Sequence, residues 1–102
     1  MPRKREKKLP PIHPGEALQD ILSEAGLSAN ALALALRVPA NRLTAILKGE
    51  RGITVDTALR LGRYFGTSAA MWMNLQADYE LQIGEDQMRE QIDREVLPHS
   101  AA

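Results

Sequence analysis

Between residues 14 and 68 the sequence is punctuated by residues that start or stop helices, and the intervals leave room only for helices of a few turns. Pro14 suits a first helical position, where no amide proton is needed. Gly26 ends that segment, and Ser28 offers a side-chain oxygen to cap the next. Pro39 breaks the second segment and opens a third, which the "GERGI" turn at 49–53 closes. Thr54 caps a fourth, with Asp56 in its first turn, where the helix dipole favours an acid. Gly66 stops it, and Ser68 caps a fifth. Each segment carries apolar residues at helical spacing: Leu18, Ile21, Leu22 and Ala25; Leu32, Ala33 and Leu36; Leu43, Ile46 and Leu47; Ala58, Leu59, Leu61 and Phe65; Trp72, Leu75 and Tyr79. "ALALAL" at 31–36 alternates as a strand would, but Ala and Leu are strong helix formers and nothing there is β-branched. After Gly84, Met88, Ile92 and Val96 recur every four residues and predict a last, weaker helix that Pro98 stops. The expected fold is all-α, with five or six short helices and no internal repeat or linker.

The 102 residues suffice for one compact domain. With 4% aromatic residues, the core must come from Leu, Ile, Ala and Met. Cysteine is absent, which excludes disulfides and thiol chemistry. No apolar run is long enough to span a membrane. The first twelve residues, "MPRKREKKLPPI", lack helical periodicity and the apolar stretch of a secretion signal. A basic arm on a cytoplasmic protein is the expectation. The formal net charge of zero hides blocks of opposite sign. Residues 1–8 sum to +4, from Arg3, Lys4, Arg5, Lys7 and Lys8 against Glu6. Residues 9–36 sum to −3, from Glu16, Asp20 and Glu24. Residues 37–65 return to +4, and residues 78–96 fall to −5. An anionic partner responds to the local field, not to the total.

Residues 28–48 are the most informative stretch. Two helices of under three turns meet at a tight corner, with small Ala33 at their crossing and Leu32, Leu36, Val38, Leu43 and Ile46 pointing inward from both sides. This is the helix-turn-helix pattern, whose second helix enters the DNA major groove. Arg37 departs from it. Glycine is usual at that corner, because the backbone often needs positive φ there, and another residue costs about 1 kcal/mol.

"PPIHPGEALQDIL", "NRLTAILKGERGIT", "DTALRLGRYFGTSAAMWMNLQ" and "YEL" resemble the HigA-type antitoxins of bacterial toxin–antitoxin operons, members of the lambda-repressor-like, XRE-type class. The resemblance covers residues 10–83. It implies a lambda-repressor-like DNA-binding domain at 13–84, preceded by the arm at 1–12 and followed by a C-terminal helical extension and tail at 85–102. It also implies a homodimer that binds its own operator, represses its operon and neutralises a RelE-like ribonuclease toxin of the HigB type.

By match to the helix-turn-helix pattern, Pro39 begins the recognition helix, and Ala40, Asn41, Thr44, Ala45 and Lys48 face the groove. Asn41 has the donor–acceptor pair that adenine requires, and Lys48 reaches guanine or a phosphate. Ala45 and the Thr44 methyl suit a thymine methyl. Phosphate contacts are expected from Ser28, Asn30 and Arg51. Arg42 either joins them or pairs with an acid of its own chain. The basic arm either follows the minor groove or keeps the chain soluble. The "HPGE" group at 13–16 offers two metal-ligand types without a third, so a helix start is the better reading. Trp72, Leu75, Tyr79, Met88, Ile92 and Val96 are the expected dimer contacts, with Met71, Trp72 and Leu75 reading as either core or dimer packing. No catalytic constellation or cofactor motif stands out. The competing readings are a repressor with no toxin partner and an interaction protein that no longer reads DNA.

Overall fold

The structure, a computed structural model, describes residues 10–100. Five helices follow one another: α1 (Pro14–Ala25), α2 (Ala29–Leu36), α3 (Ala40–Leu47), α4 (Val55–Phe65) and α5 (Ala69–Glu95). No strand occurs among the described residues. The starts follow the caps in the sequence. Ser28, Thr54 and Ser68 accept the backbone N–H of Ala31, Thr57 and Met71 at 3.0, 3.4 and 3.1 Å. Each such cap contributes about 1 kcal/mol.

Helices α1, α2 and α4 end at a left-handed cap, Gly26, Arg37 and Gly66, whereas α3 ends at right-handed Lys48 with left-handed Gly49 after it. Arg37 adopts φ 62°, ψ 45°, the conformation expected of the corner between α2 and α3. Val38 N–H then bonds the Ala33 carbonyl at 3.0 Å and seals the turn.

The core draws on every helix. Leu18 and Leu22 of α1, Leu32, Ala33 and Leu36 of α2, Leu43 and Ile46 of α3, Ala58 and Leu61 of α4, Trp72 of α5 and Ile53 from the loop are all buried. Burying a side chain of the Leu class stabilises by about 1.5–3 kcal/mol, so this cluster dominates the stability of the fold. Helix α3 lies between α1 and α2, and α4 packs chiefly on α5.

Three expectations need correction. Leu59 is 58% exposed, while Thr57 and Gly62 take the inner positions on α4. Ala25 lies on the outer side of α1. The predicted break at Gly84 does not occur: α5 runs through it for 27 residues, about 40 Å at 1.5 Å per residue. A helical glycine costs about 1 kcal/mol. Side-chain pairs four residues apart on the following turns, Arg89 with Glu85 and Asp93 and Gln91 with Glu95, offset part of that. The boundary placed at 84/85 therefore falls inside one helix. The far half of α5 stands clear of the core, with residues 86–96 all exposed.

Candidate nucleic-acid interface

Helix α3 has one buried side and one open side, set by the helical period. Leu43 and Ile46 are 0% exposed. Elsewhere on the helix, Ala40 and Asn41 are exposed, Thr44 and Ala45 are half-buried, and Lys48 at the C-cap is exposed. Pro39 is the N-cap residue, with extended backbone, so the helix proper begins one residue later at Ala40. The Thr44 hydroxyl donates to the Asn41 carbonyl at 3.3 Å, which occupies its proton. The Asn41 amide has no partner among the described residues. Its donor and acceptor are both available, as a bidentate contact to adenine requires.

Three devices fix the pose of this helix. The first is ionic. Arg42 donates to Asp56 Oδ2 at 2.6 Å, and Arg60 Nε donates to the same carboxylate at 3.0 and 3.1 Å. Arg60 also donates to the carbonyl of Leu36, the last residue of α2, at 2.9 Å. One acid on α4 thus ties α3, and through Arg60 the C-terminus of α2, into a single network. The Arg42 hydrogen bond, followed by that of Arg60, holds the Asp56 carboxyl below the usual carboxylate range.

The second device is steric, at the "HPGE" group. His13 is the N-cap of α1, its Nδ1 accepting the Gly15 N–H at 2.9 Å. Its ring meets Tyr79 of α5 edge-on at 4.8 Å. Gly15 presses against the end of α3. A Cβ there would lie within 3.0 Å of the Ile46 carbonyl carbon and closer still to its oxygen. Only glycine fits this approach. The motif is a helix start that seats α1 on α3.

The third device is the turn after α3. Gly49 N–H bonds the Ile46 carbonyl at 3.0 Å and Glu50 N–H the Ala45 carbonyl at 2.9 Å, with Gly49 at φ 78°. The chain then reaches Ile53, whose N–H donates to Gln76 Oε1 of α5 at 2.7 Å.

Around α3, Ser28 accepts one amide of α2's first turn, and Asn30 is exposed beside it. The remaining first-turn amides carry the positive end of the helix dipole. Arg37, Lys48, Arg51 and Arg63 make no ion pair among the described residues. Arg42 and Arg60 share one acid, so the free cations of the basic block are these four.

Two expected site residues change place. Arg42 pairs within the chain, because Asp56 on α4 lies within its reach, and so ties α3 to α4. Trp72 is 0% exposed and belongs to the core of one chain, because its part of α5 is the part that packs on α4. Of the other expected dimer contacts, Tyr79 packs on His13 and Leu75 is half-buried, whereas Met88, Ile92 and Val96 are 50%, 40% and 61% exposed. Leu81, at 65%, joins them and was not anticipated, although it lies seven residues before Met88. Leu81, Gly84, Met88 and Ile92 line a shallow trough of about 200 Å³. The Arg3–Lys8 arm lies outside the described residues.

A helix-turn-helix family model matches residues 18–72. The chain is 51% identical over 81 residues to virulence-associated protein I of Dichelobacter nodosus, covering 78% of this chain and 75% of that one. Among solved structures, a HigA-family addiction module antidote protein from Coxiella burnetii is 46% identical, with a TM-score of 0.84, over 89% of this chain and 100% of that one. Pseudomonas aeruginosa antitoxin HigA with the higBA promoter is 48% identical, with a TM-score of 0.85, over 88% and 99%.

Proposed function

The chain belongs to the helix-turn-helix family, among its HigA-type antitoxins, and on that premise we propose that it binds operator DNA as a homodimer, represses its own operon and neutralises a RelE-like, HigB-type ribonuclease toxin. The observation that carries the DNA reading is the open side of α3. A free Asn41 amide, the Thr44 and Ala45 side chains and an unpaired Lys48 stand on a helix that three separate devices hold in place. In this reading Ala40, Asn41, Thr44, Ala45 and Lys48 meet base edges, with Pro39 fixing where the helix enters. Ser28, Asn30 and Arg51 meet phosphates and set the register. The Pseudomonas relative, solved with its promoter, supports the same mode.

A single module of this size reads few bases, so a two-fold pair is expected to read two half-sites about 34 Å apart. The open apolar stripe on α5, from Leu81 through Met88 and Ile92 to Val96, is the proposed contact between copies. An isologous interface would use the same stripe twice. Toxin binding falls to the acidic surfaces, Glu16 to Glu24 on α1 and Asp78 to Glu95 on α5, because a ribonuclease that grips RNA should be basic and complementary fields speed encounter.

Footprinting of the DNA upstream of the protein's own gene tests the reading. Protection of an inverted repeat is expected; protection of one isolated half-site by a monomer would overturn the dimeric mode. Co-expression with the adjacent gene product should restore growth and yield a co-purifying complex. If that product is harmless alone, or remains toxic beside folded protein, the antitoxin reading fails and a plain repressor takes its place.

A further inference from the structure

Gln76 is the one buried amide side chain of α5, and both ends of its amide are engaged. Its Oε1 accepts the Ile53 N–H at 2.7 Å, and its Nε2 donates to Glu80 Oε2 at 2.8 Å. Its amide plane also lies flat against Gly52, where a Cβ would come within 2.8–2.9 Å of Nε2, Cδ and Oε1. A glutamine amide presents a donor and an acceptor that exchange on a flip. Here Glu80 decides the matter. A flip would set Nε2 against the Ile53 N–H and Oε1 against a carboxylate, two repulsive pairs. The acid one turn along α5 therefore commits the oxygen to the loop.

Ile53 is itself buried and closes the "GERGI" turn that carries Arg51 and follows Lys48. Resting on the DNA-binding reading above, the geometry points to Gln76, oriented by Glu80, as a positioning residue that holds the 49–53 turn where Arg51 meets the phosphate backbone. Gln76 touches no DNA; it acts through the turn.

The test is operator binding over a range of salt concentration, with full-length variants. Gln76→Leu leaves the Ile53 N–H buried and unpaired, and should weaken operator binding about tenfold. It should also flatten the salt dependence by about one unit, as Arg51→Ala does, because one phosphate contact is lost. Combining the two should cost little more than either alone, since both remove the same contact. Gln76→Glu sets two carboxylates together and should also weaken binding, whereas Gln76→Glu/Glu80→Gln restores a donor opposite an acceptor and should recover it. That rescue keeps the assignment falsifiable if Gln76→Leu folds poorly. Fully additive losses of Gln76→Leu and Arg51→Ala, or no recovery in the double exchange, would overturn it. Wild-type protein that binds normally beside an unaffected Gln76→Leu would overturn this assignment alone; wild-type protein that ignores operator DNA would overturn the DNA reading with it.

Discussion

The contact between Gly15 and the end of α3 makes a quantitative prediction. Gly15→Ala adds one methyl group, and in an open helix it would stabilise by up to about 1 kcal/mol. At this position the new Cβ meets the Ile46 carbonyl, a backbone group that accepts the Gly49 N–H at 3.0 Å. It also comes within 3.1 Å of His13 Nδ1, the atom that caps α1. No side chain can swing away to relieve it. Helix α1 must move off α3, or α3 must give up its C-terminal turn. The penalty belongs at the upper end of the overpacking range, about 3 kcal/mol. Subtracting the propensity gain leaves a net loss of about 2 kcal/mol, or a fall in Tm of roughly 10 °C for a domain of this size. Gly84→Ala is the control. Nothing lies within 4 Å of a Cβ there, so the same substitution should stabilise by about 0.5–1 kcal/mol. Urea unfolding followed by circular dichroism measures both. A Gly15→Ala variant as stable as the wild type would refute the close approach. Equal losses at both glycines would show that the available space does not decide the sign.

Arg37→Gly should raise stability by about 0.5–1 kcal/mol, because it relieves the left-handed strain at φ 62°; a drop in Tm would show that the Arg37 side chain contributes more than its backbone costs. The depressed Asp56 carboxyl contributes stability that is present above its unfolded value near 3.8 and is lost as pH falls through its lower folded value. Asp56→Asn should therefore be less stable than wild type at neutral pH, with the difference shrinking below about pH 4; a difference that stays constant down to pH 2 would mean that charge is not its source. Met88→Glu/Ile92→Glu should raise the dimer dissociation constant by at least about tenfold with helix content unchanged, as read by sedimentation, since both side chains are exposed in the single chain; an unchanged dimer would move the interface elsewhere.

What the sequence disclosed is what depends on neighbours along the chain. Ser28, Thr54 and Ser68 cap helices within three residues of themselves, so their identity is enough. The αL conformation of Arg37 follows from the corner it occupies. Contacts between distant segments left no such mark. The approach of Gly15 to Ile46 and the bond from Ile53 to Gln76 join parts that only the tertiary fold brings together. Apolar spacing marks a helix face but not what covers it, so Trp72 read equally as core or as dimer contact, and its burial places it in the core. Leu59 read as inward because hydrophobic periodicity gives no weight to Thr57, which is buried in the first turn of α4, or to Gly62, which fits the tight α4–α5 corner. Gly84 read as a stop because its compensation comes from charged pairs rather than apolar ones. Arg42 was legible as two alternatives, and the position of Asp56 on α4 chose between them. The open side of α3 was legible residue by residue, because a short helix with two buried positions leaves little freedom for the rest.

If α3 reads base edges, Asn41 is the side chain whose loss should reveal it. Its amide is exposed and unpaired among the described residues, so Asn41→Ala should leave folding intact. Affinities of the wild type and this variant should be measured on operator and on random DNA at one fixed salt concentration. A loss of about 1–3 kcal/mol is expected on the operator and almost none on random DNA. Equal losses on both DNAs, or no loss on the operator, would contradict it.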